Sequence, residues 1–205
     1  MPDRAALVRR GISLTWLTLG YNALEAILAL LLGALAASIA LEGFGLDSVI
    51  ELSASGAALW RLNADVDPAR RHLVEQRTQK FIGVSFLALA GYVLWQSTTT
   101  LLHHESPQSS PAGIALAIAS LLVMPLLARA KRRVANGLGS AALRSEAMQT
   151  SLCAWLSAIL VVGLTLNALL GWWWADPVAA LAMIPVMLDE GRKGLRGEVC
   201  CDDCA

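Results

Sequence analysis

Long apolar runs alternate with short polar interruptions along this chain. Apolar side chains dominate six stretches, at about 12 to 36, 39 to 60, 81 to 102, 112 to 128, 141 to 170 and 175 to 191. Most lie near the ~20 residues that an α-helix needs to cross a bilayer, and the fourth and sixth are short but still feasible. The pattern predicts an all-α membrane protein with six transmembrane helices. Within the runs, some polar residues recur at helical spacing. Asp47 and Glu51 in the second stretch, and Gln149 and Cys153 in the fifth, are each spaced i, i+4. At about 100° per residue such a pair shares one helix face, so two segments can close four side chains around one ion.

Composition supports treating the bilayer as the solvent. Apolar residues make up 56% of the 205 residues and charged residues only 16%, with a mean hydropathy of +0.57, far from the usual soluble balance. The formal net charge of zero hides a polarised molecule. Arg4, Arg9 and Arg10 precede the first span; Arg61, Arg70, Arg71, Arg77 and Lys80 separate the second from the third; Arg129, Lys131, Arg132, Arg133 and Arg144 separate the fourth from the fifth. Arg192, Lys193 and Arg196 follow the sixth, and the other three connections hold no Lys or Arg. Lys and Arg near span ends favour the cytoplasmic side, so both termini are expected in the cytoplasm. The basic loops follow from topology, and nucleic acid is not an expected partner. The expected location is multi-pass in a cell (inner) membrane. The first span is too long for a cleaved signal peptide and is expected to stay in the mature protein.

One transmembrane domain, 1–191, and a short cytoplasmic Cys-rich tail, 192–205, account for the organisation, since fourteen residues cannot bury a core. The segment Leu62 to Gln79 reads as a solvated connector or short interfacial helix, and Glu105 to Gly113 as a short external turn. Asp176-Pro177 reads as an N-cap followed by Pro at N1, opening the sixth helix. Trp172, Trp173 and Trp174 mark the outer boundary, with Trp60 and Trp16 towards the inner one. Gly83, Gly91, Gly163 and Ala168 would allow close helix approach.

A carboxylate in hydrocarbon is expensive, so Asp47 and Glu51 should face protein or a water-filled cavity. Two carboxylates this close cannot both ionise easily in a low dielectric, so protons and a divalent cation compete for them. That competition is the chemical basis of metal/proton exchange, with the voltage part of the driving force near ~2.3 kcal/mol per charge at 100 mV. A thiolate at Cys153 would favour Zn²⁺ or similar borderline ions over Mg²⁺ and Ca²⁺. Glu146 extends the polar stripe of the fifth span towards the cytoplasm and, with Glu25 and Asn22, is a candidate proton carrier or accessory ligand. Glu25, with Asn22 one turn before it, is a candidate proton carrier, an extra ligand, or an anchor to Asn167 or a serine across a helix interface. In the tail, Cys200, Cys201 and Cys204 form a candidate metal-capturing string that matches no zinc-finger spacing. His103, His104 and Glu105 read as a solvated external turn, and His72 has no evident partner.

Three segments carry a resemblance. Ser38 to Glu51, Ala142 to Cys153 and Trp174 to Leu181 resemble the second helix, the fifth helix and the start of the sixth in the cation diffusion facilitator superfamily. The resemblance implies six helices with cytoplasmic ends, a homodimer, and export of Zn²⁺ or a related ion in exchange for protons. It implies a metal site of Asp47, Glu51, Gln149 and Cys153. Gln149 and Cys153 stand where the family usually has His and Asp, and Glu51 where it has Asp. The regulatory metal-binding domain that commonly follows the sixth helix is not expected here.

These readings converge on a divalent transition-metal transporter that exports metal by proton antiport and is not an enzyme. No permanent cofactor is expected; Zn²⁺ is the first-choice substrate, with Co²⁺, Ni²⁺, Cd²⁺, Fe²⁺ and Mn²⁺ open. The alternative is a membrane metal sensor or thiol-redox partner acting through the Cys-rich tail.

Overall fold

A computed structural model describes residues 4–63, 68–104, 107–138 and 141–196. Six helices account for nearly all of them: α1 (Arg4–Ala36), α2 (Ile39–Asn63), α3 (Pro68–His103), α4 (Pro111–Leu138), α5 (Ala141–Leu170) and α6 (Ala175–Arg196). The protein is an all-α, multi-pass membrane protein. By length and composition alone, α1, α3, α4 and α5 are apolar enough to cross a bilayer. α2 and α6 carry more acidic residues, and protein takes the place of lipid around them. α2 in particular packs against α1, α3, α5 and α6.

Helix ends follow local chemistry. α1 stops because Ala37 adopts φ 52°, and the Ser38 amide then donates to the Gly33 carbonyl at 3.0 Å, a Schellman closure in which Ala stands where Gly is usual. Ser38 caps α2, its Oγ accepting from the Leu41 amide at 3.2 Å. Ser110 caps α4, accepting from the Gly113 amide at 3.1 Å, with Pro111 at the first helical position. Pro125 and Pro185 lie within α4 and α6, where each forgoes one backbone hydrogen bond.

α1, α2, α5 and α4 close a ring of neighbours, while α3 packs on α6 and this pair leans on α2 and α5. Gly83 and Gly191 bring α3 and α6 together: a Cβ on Gly83 would lie 2.8 Å from the Gly191 carbonyl oxygen. Gly163 plays the same part against Ala179 of α6, whereas Gly91 faces open space. Outward-facing Leu17, Leu24, Ile27, Leu31 and Leu35 on α1, and Val84, Leu94, Trp95 and Leu102 on α3, present the apolar surface that lipid requires.

Three local expectations are corrected. Within the connector from Leu62 to Gln79, residues 68–79 form no separate element. From Pro68 onward it is the beginning of α3, because Pro at N1 starts a helix that the apolar run then continues. The fourth helix outlasts its apolar stretch, running on to Leu138; Lys and Arg are good helix formers and propagate it. Asp176 does cap a helix, but that helix is α2 rather than α6. Asp176 lies inside the first turn of α6 and its Oδ2 accepts from the amides of Ile39 (2.9 Å) and Ala40 (3.4 Å), while Oδ1 accepts from the Ser38 hydroxyl. The unpaired amides of the α2 N-terminus and its positive dipole end draw the carboxylate across the interface.

Candidate functional site

Helix periodicity places the polar residues. On α5 the buried positions Glu146, Thr150, Cys153, Ser157, Leu160, Leu164 and Asn167 alternate by four and three, the repeat of a seam between packed helices. α1 repeats it with Thr15, Thr18, Asn22, Glu25 and Ala29, and α4 with Ala117, Ser120, Met124, Leu127 and Lys131. Apart from Asn167, these polar side chains therefore point into the ring. α2 supplies Asp47, Ser48, Glu51 and Ser55 from the facing side.

The resulting interior is almost closed to solvent: Glu25 is 1% exposed, and Asp47 and Glu51 are 3% each. Glu25 Oε2 accepts from the Ser48 hydroxyl at 2.9 Å and lies 3.6 Å from the Cys153 thiol, which donates to it. Ser120 Oγ lies 3.9 Å from Cys153 Sγ. Glu51 Oε1 accepts from the Thr150 hydroxyl at 2.6 Å. Four helices thus meet at mid-depth through a carboxylate and thiol pair, a second carboxylate and three hydroxyls.

Several of these atoms are left without a partner. Among the described residues, both amide atoms of Asn22, Glu25 Oε1, Glu51 Oε2, the Tyr21 hydroxyl and Ser97 Oγ are buried with none. An unpaired buried polar atom is unfavourable by about 1 to 3 kcal/mol, and most of this group lies on two adjacent turns of α1 and on the α2 turn that holds Glu51.

Of the residues expected at the site, Asp47, Glu51 and Cys153 are buried in the ring, and Gln149 is half-buried at the edge of the α5 seam. Asn22 and Glu25 are fully interior, and Glu25 meets a serine, Ser48, across the α1–α2 interface. Asn167 is occupied elsewhere, donating to the Pro107 carbonyl at 3.2 Å. Among the described residues, no three His, Cys, Asp or Glu side chains stand together in a ready-made metal cage. His103 and His104 are exposed, with the His104 ring 5.1 Å from that of Trp173. Cys200, Cys201 and Cys204, Glu105 and the side chain of His72 lie outside what is described.

One group belongs to the interior despite being expected in a solvated loop. Lys131 is 0% exposed and its Nζ donates to Glu146 Oε1 at 2.8 Å and to Thr150 Oγ1 at 3.1 Å. Ser55 and Thr15 complete the coordination of Glu146, at 3.2 Å to Oε1 and 3.1 Å to Oε2. The signal is present in the spacing: Lys131 continues the buried stripe of α4, whereas Arg129, Arg132 and Arg133 fall off it and are exposed.

The chain is a six-helix membrane bundle with acidic groups enclosed in its interior. A family model for the cation efflux transmembrane domain matches residues 15–196, so the chain belongs to that family. It is 30% identical over 173 residues to an uncharacterized transporter of Synechocystis sp., an alignment covering 80% of this chain and 56% of the relative. The chain thus spans little more than half the length of the curated relative it matches.

Proposed function

We propose that the protein is a cation transporter that exports a divalent transition-metal ion from the cytoplasm in exchange for protons, with Zn²⁺ as the first-choice substrate. The observation that carries this reading is the burial of Glu25, Asp47, Glu51 and Cys153 inside the bundle, with an unpartnered oxygen on Glu25 and on Glu51. Asp47 and Glu51 supply anionic oxygens that take either a proton or the metal. Cys153 supplies a soft donor that favours borderline ions over Mg²⁺ and Ca²⁺. Gln149 supplies a neutral oxygen from the edge of the α5 seam, and Asn22 and Glu25 are accessory ligands or proton carriers. The reading involves no covalent catalysis and no resident cofactor, and includes the homodimer that the family resemblance implies.

Exchange at such a site is a competition. Cytoplasmic metal displaces protons from the carboxylates, and protons arriving from outside displace the metal there. The test is proton-driven uptake of Zn²⁺, Co²⁺, Ni²⁺, Mn²⁺ and Cd²⁺ into inverted vesicles. Wild type should accumulate metal, Asp47→Ala should not, and Cys153→Ser should reorder the metals. Equal flux in Asp47→Ala and wild type would defeat the reading.

A further inference from the structure

Lys131 behaves unlike its neighbours. Arginines at 129, 132 and 133 extend outward, as long cationic side chains near a span end usually do. Lys131 turns inward and is wholly buried. Its ammonium, carried by α4, sits among oxygens drawn from the other three helices of the ring: Glu146 and Thr150 directly, with Thr15 and Ser55 holding the same carboxylate. The Thr150 hydroxyl passes the contact on to Glu51 Oε1 at 2.6 Å, and Glu51 Oε2 makes no hydrogen bond of good geometry, with the Asn22 side chain close enough to interact with the carboxylate. Ser55 and Glu146 each lie four residues, about 6 Å of helix, on the cytoplasmic side of Glu51 and Thr150.

Stability alone accounts poorly for this arrangement, because a buried ion pair is often no better than an apolar pair of the same size. The oxygen set is that of a cation site, already filled by a cation the protein carries itself. We propose that Glu146, Thr150 and Glu51 form a second cation station at the cytoplasmic mouth of the pathway, and that Lys131 is its tethered occupant. A divalent cation arriving from the cytoplasm takes the station as the ammonium, on its flexible four-carbon stem, swings out towards the exposed arginines. The all-oxygen donors hold such an ion less selectively than a thiolate does, so the station admits cations and the deeper residues sort them. This deepens the transport reading and rests on it.

Equilibrium titration of the purified full chain with Zn²⁺ and with Mn²⁺ tests the station. Lys131→Met leaves Glu146 without its cation, so it should tighten divalent binding by roughly tenfold or add a bound ion. Glu146→Gln leaves the ammonium facing Glu51 through Thr150, so it should weaken binding by roughly tenfold. The double variant should fall between the two. A pair that merely holds the fold would shift both single variants in the same direction, and that result, or a Lys131→Met protein that binds as wild type does, overturns the proposal. Should Lys131→Met fail to fold, the comparison of Glu146→Gln with the double variant decides: weaker binding in the single must be relieved in the double, and identical binding overturns the station. If wild type neither binds nor transports a divalent ion, the transport reading fails and the station with it. Transport by wild type combined with same-direction shifts removes the station alone.

Discussion

Asp176 and Glu51 are both acidic, both buried, and both touch α2 or belong to it, yet the fold treats them differently. At the outer end Asp176 accepts from one hydroxyl and two amides, so its charge is spread over the unpaired donors of a helix N-terminus. Three turns further down, Glu51 has one oxygen bound to Thr150 and one with no hydrogen bond of good geometry, close enough to interact with the Asn22 side chain, while Glu25 also keeps one oxygen unpaired. A satisfied carboxylate ties α6 to α2 and holds the fold. An unsatisfied one is a reservoir of unfavourable energy that a proton or metal can relieve. On the transport reading proposed above, completeness of partnering, and not burial alone, separates structure from function.

The sharpest way to break this comparison is to neutralise each side. Glu51→Gln should lower metal flux in vesicles by at least roughly a hundredfold, since an anionic ligand and a proton-exchanging group are lost together. Its thermal midpoint should match or exceed that of wild type, because an unsatisfied buried charge is removed. Asp176→Ala should do the reverse. Stability should fall by about 2 to 3 kcal/mol in a denaturation series, as two amides and a hydroxyl of α2 lose their acceptor. The protein that remains folded should keep the wild-type order of metals. If Asp176→Ala reorders the metals, or Glu51→Gln proves as destabilising as Asp176→Ala, the distinction fails.

Smaller effects sharpen the picture. Glu25→Gln keeps the shape and the Ser48 contact but removes the charge next to Cys153; flux should fall by about tenfold, most for the softer ions, in a competition between Cd²⁺ and Mn²⁺. At the α1–α2 turn, Ala37 occupies a left-handed conformation with φ 52° that glycine adopts without strain. Ala37→Gly should therefore raise stability by roughly 0.5 to 1 kcal/mol and leave flux unchanged, read as a small increase in thermal midpoint.

Much of the bundle is legible in the order of the amino acids. Six apolar runs correspond to six helices, the basic residues sort to one end of the sequence pattern, and Asp47 and Glu51 of the second run are interior. The fifth helix shows where such reading stops. The i, i+4 rule correctly puts Gln149 and Cys153 near one face, but it says nothing about where the centre of that face points. Packing puts the centre on Glu146, Thr150, Cys153 and Ser157, leaving Gln149 at the margin. Lys131 reads as one of the solvated cations because the local charge density suggests a loop. The four-and-three repeat, continued from Ser120 and Met124, turns it inward.

The sequence by itself determined the number of helices, their approximate extents and the presence of costly acidic residues within them. Those follow from chain length, hydropathy and charge placement, which act locally and need no partner. Only the tertiary structure decided which acids were satisfied: that Asp176 of α6 caps α2, that Lys131 of α4 pairs with Glu146 of α5, and that Glu25, Glu51 and Asn22 keep unpaired atoms. Hydrogen-bond partnering joins residues as far apart in sequence as Ser38 and Asp176, and that pairing exists only once the helices have packed.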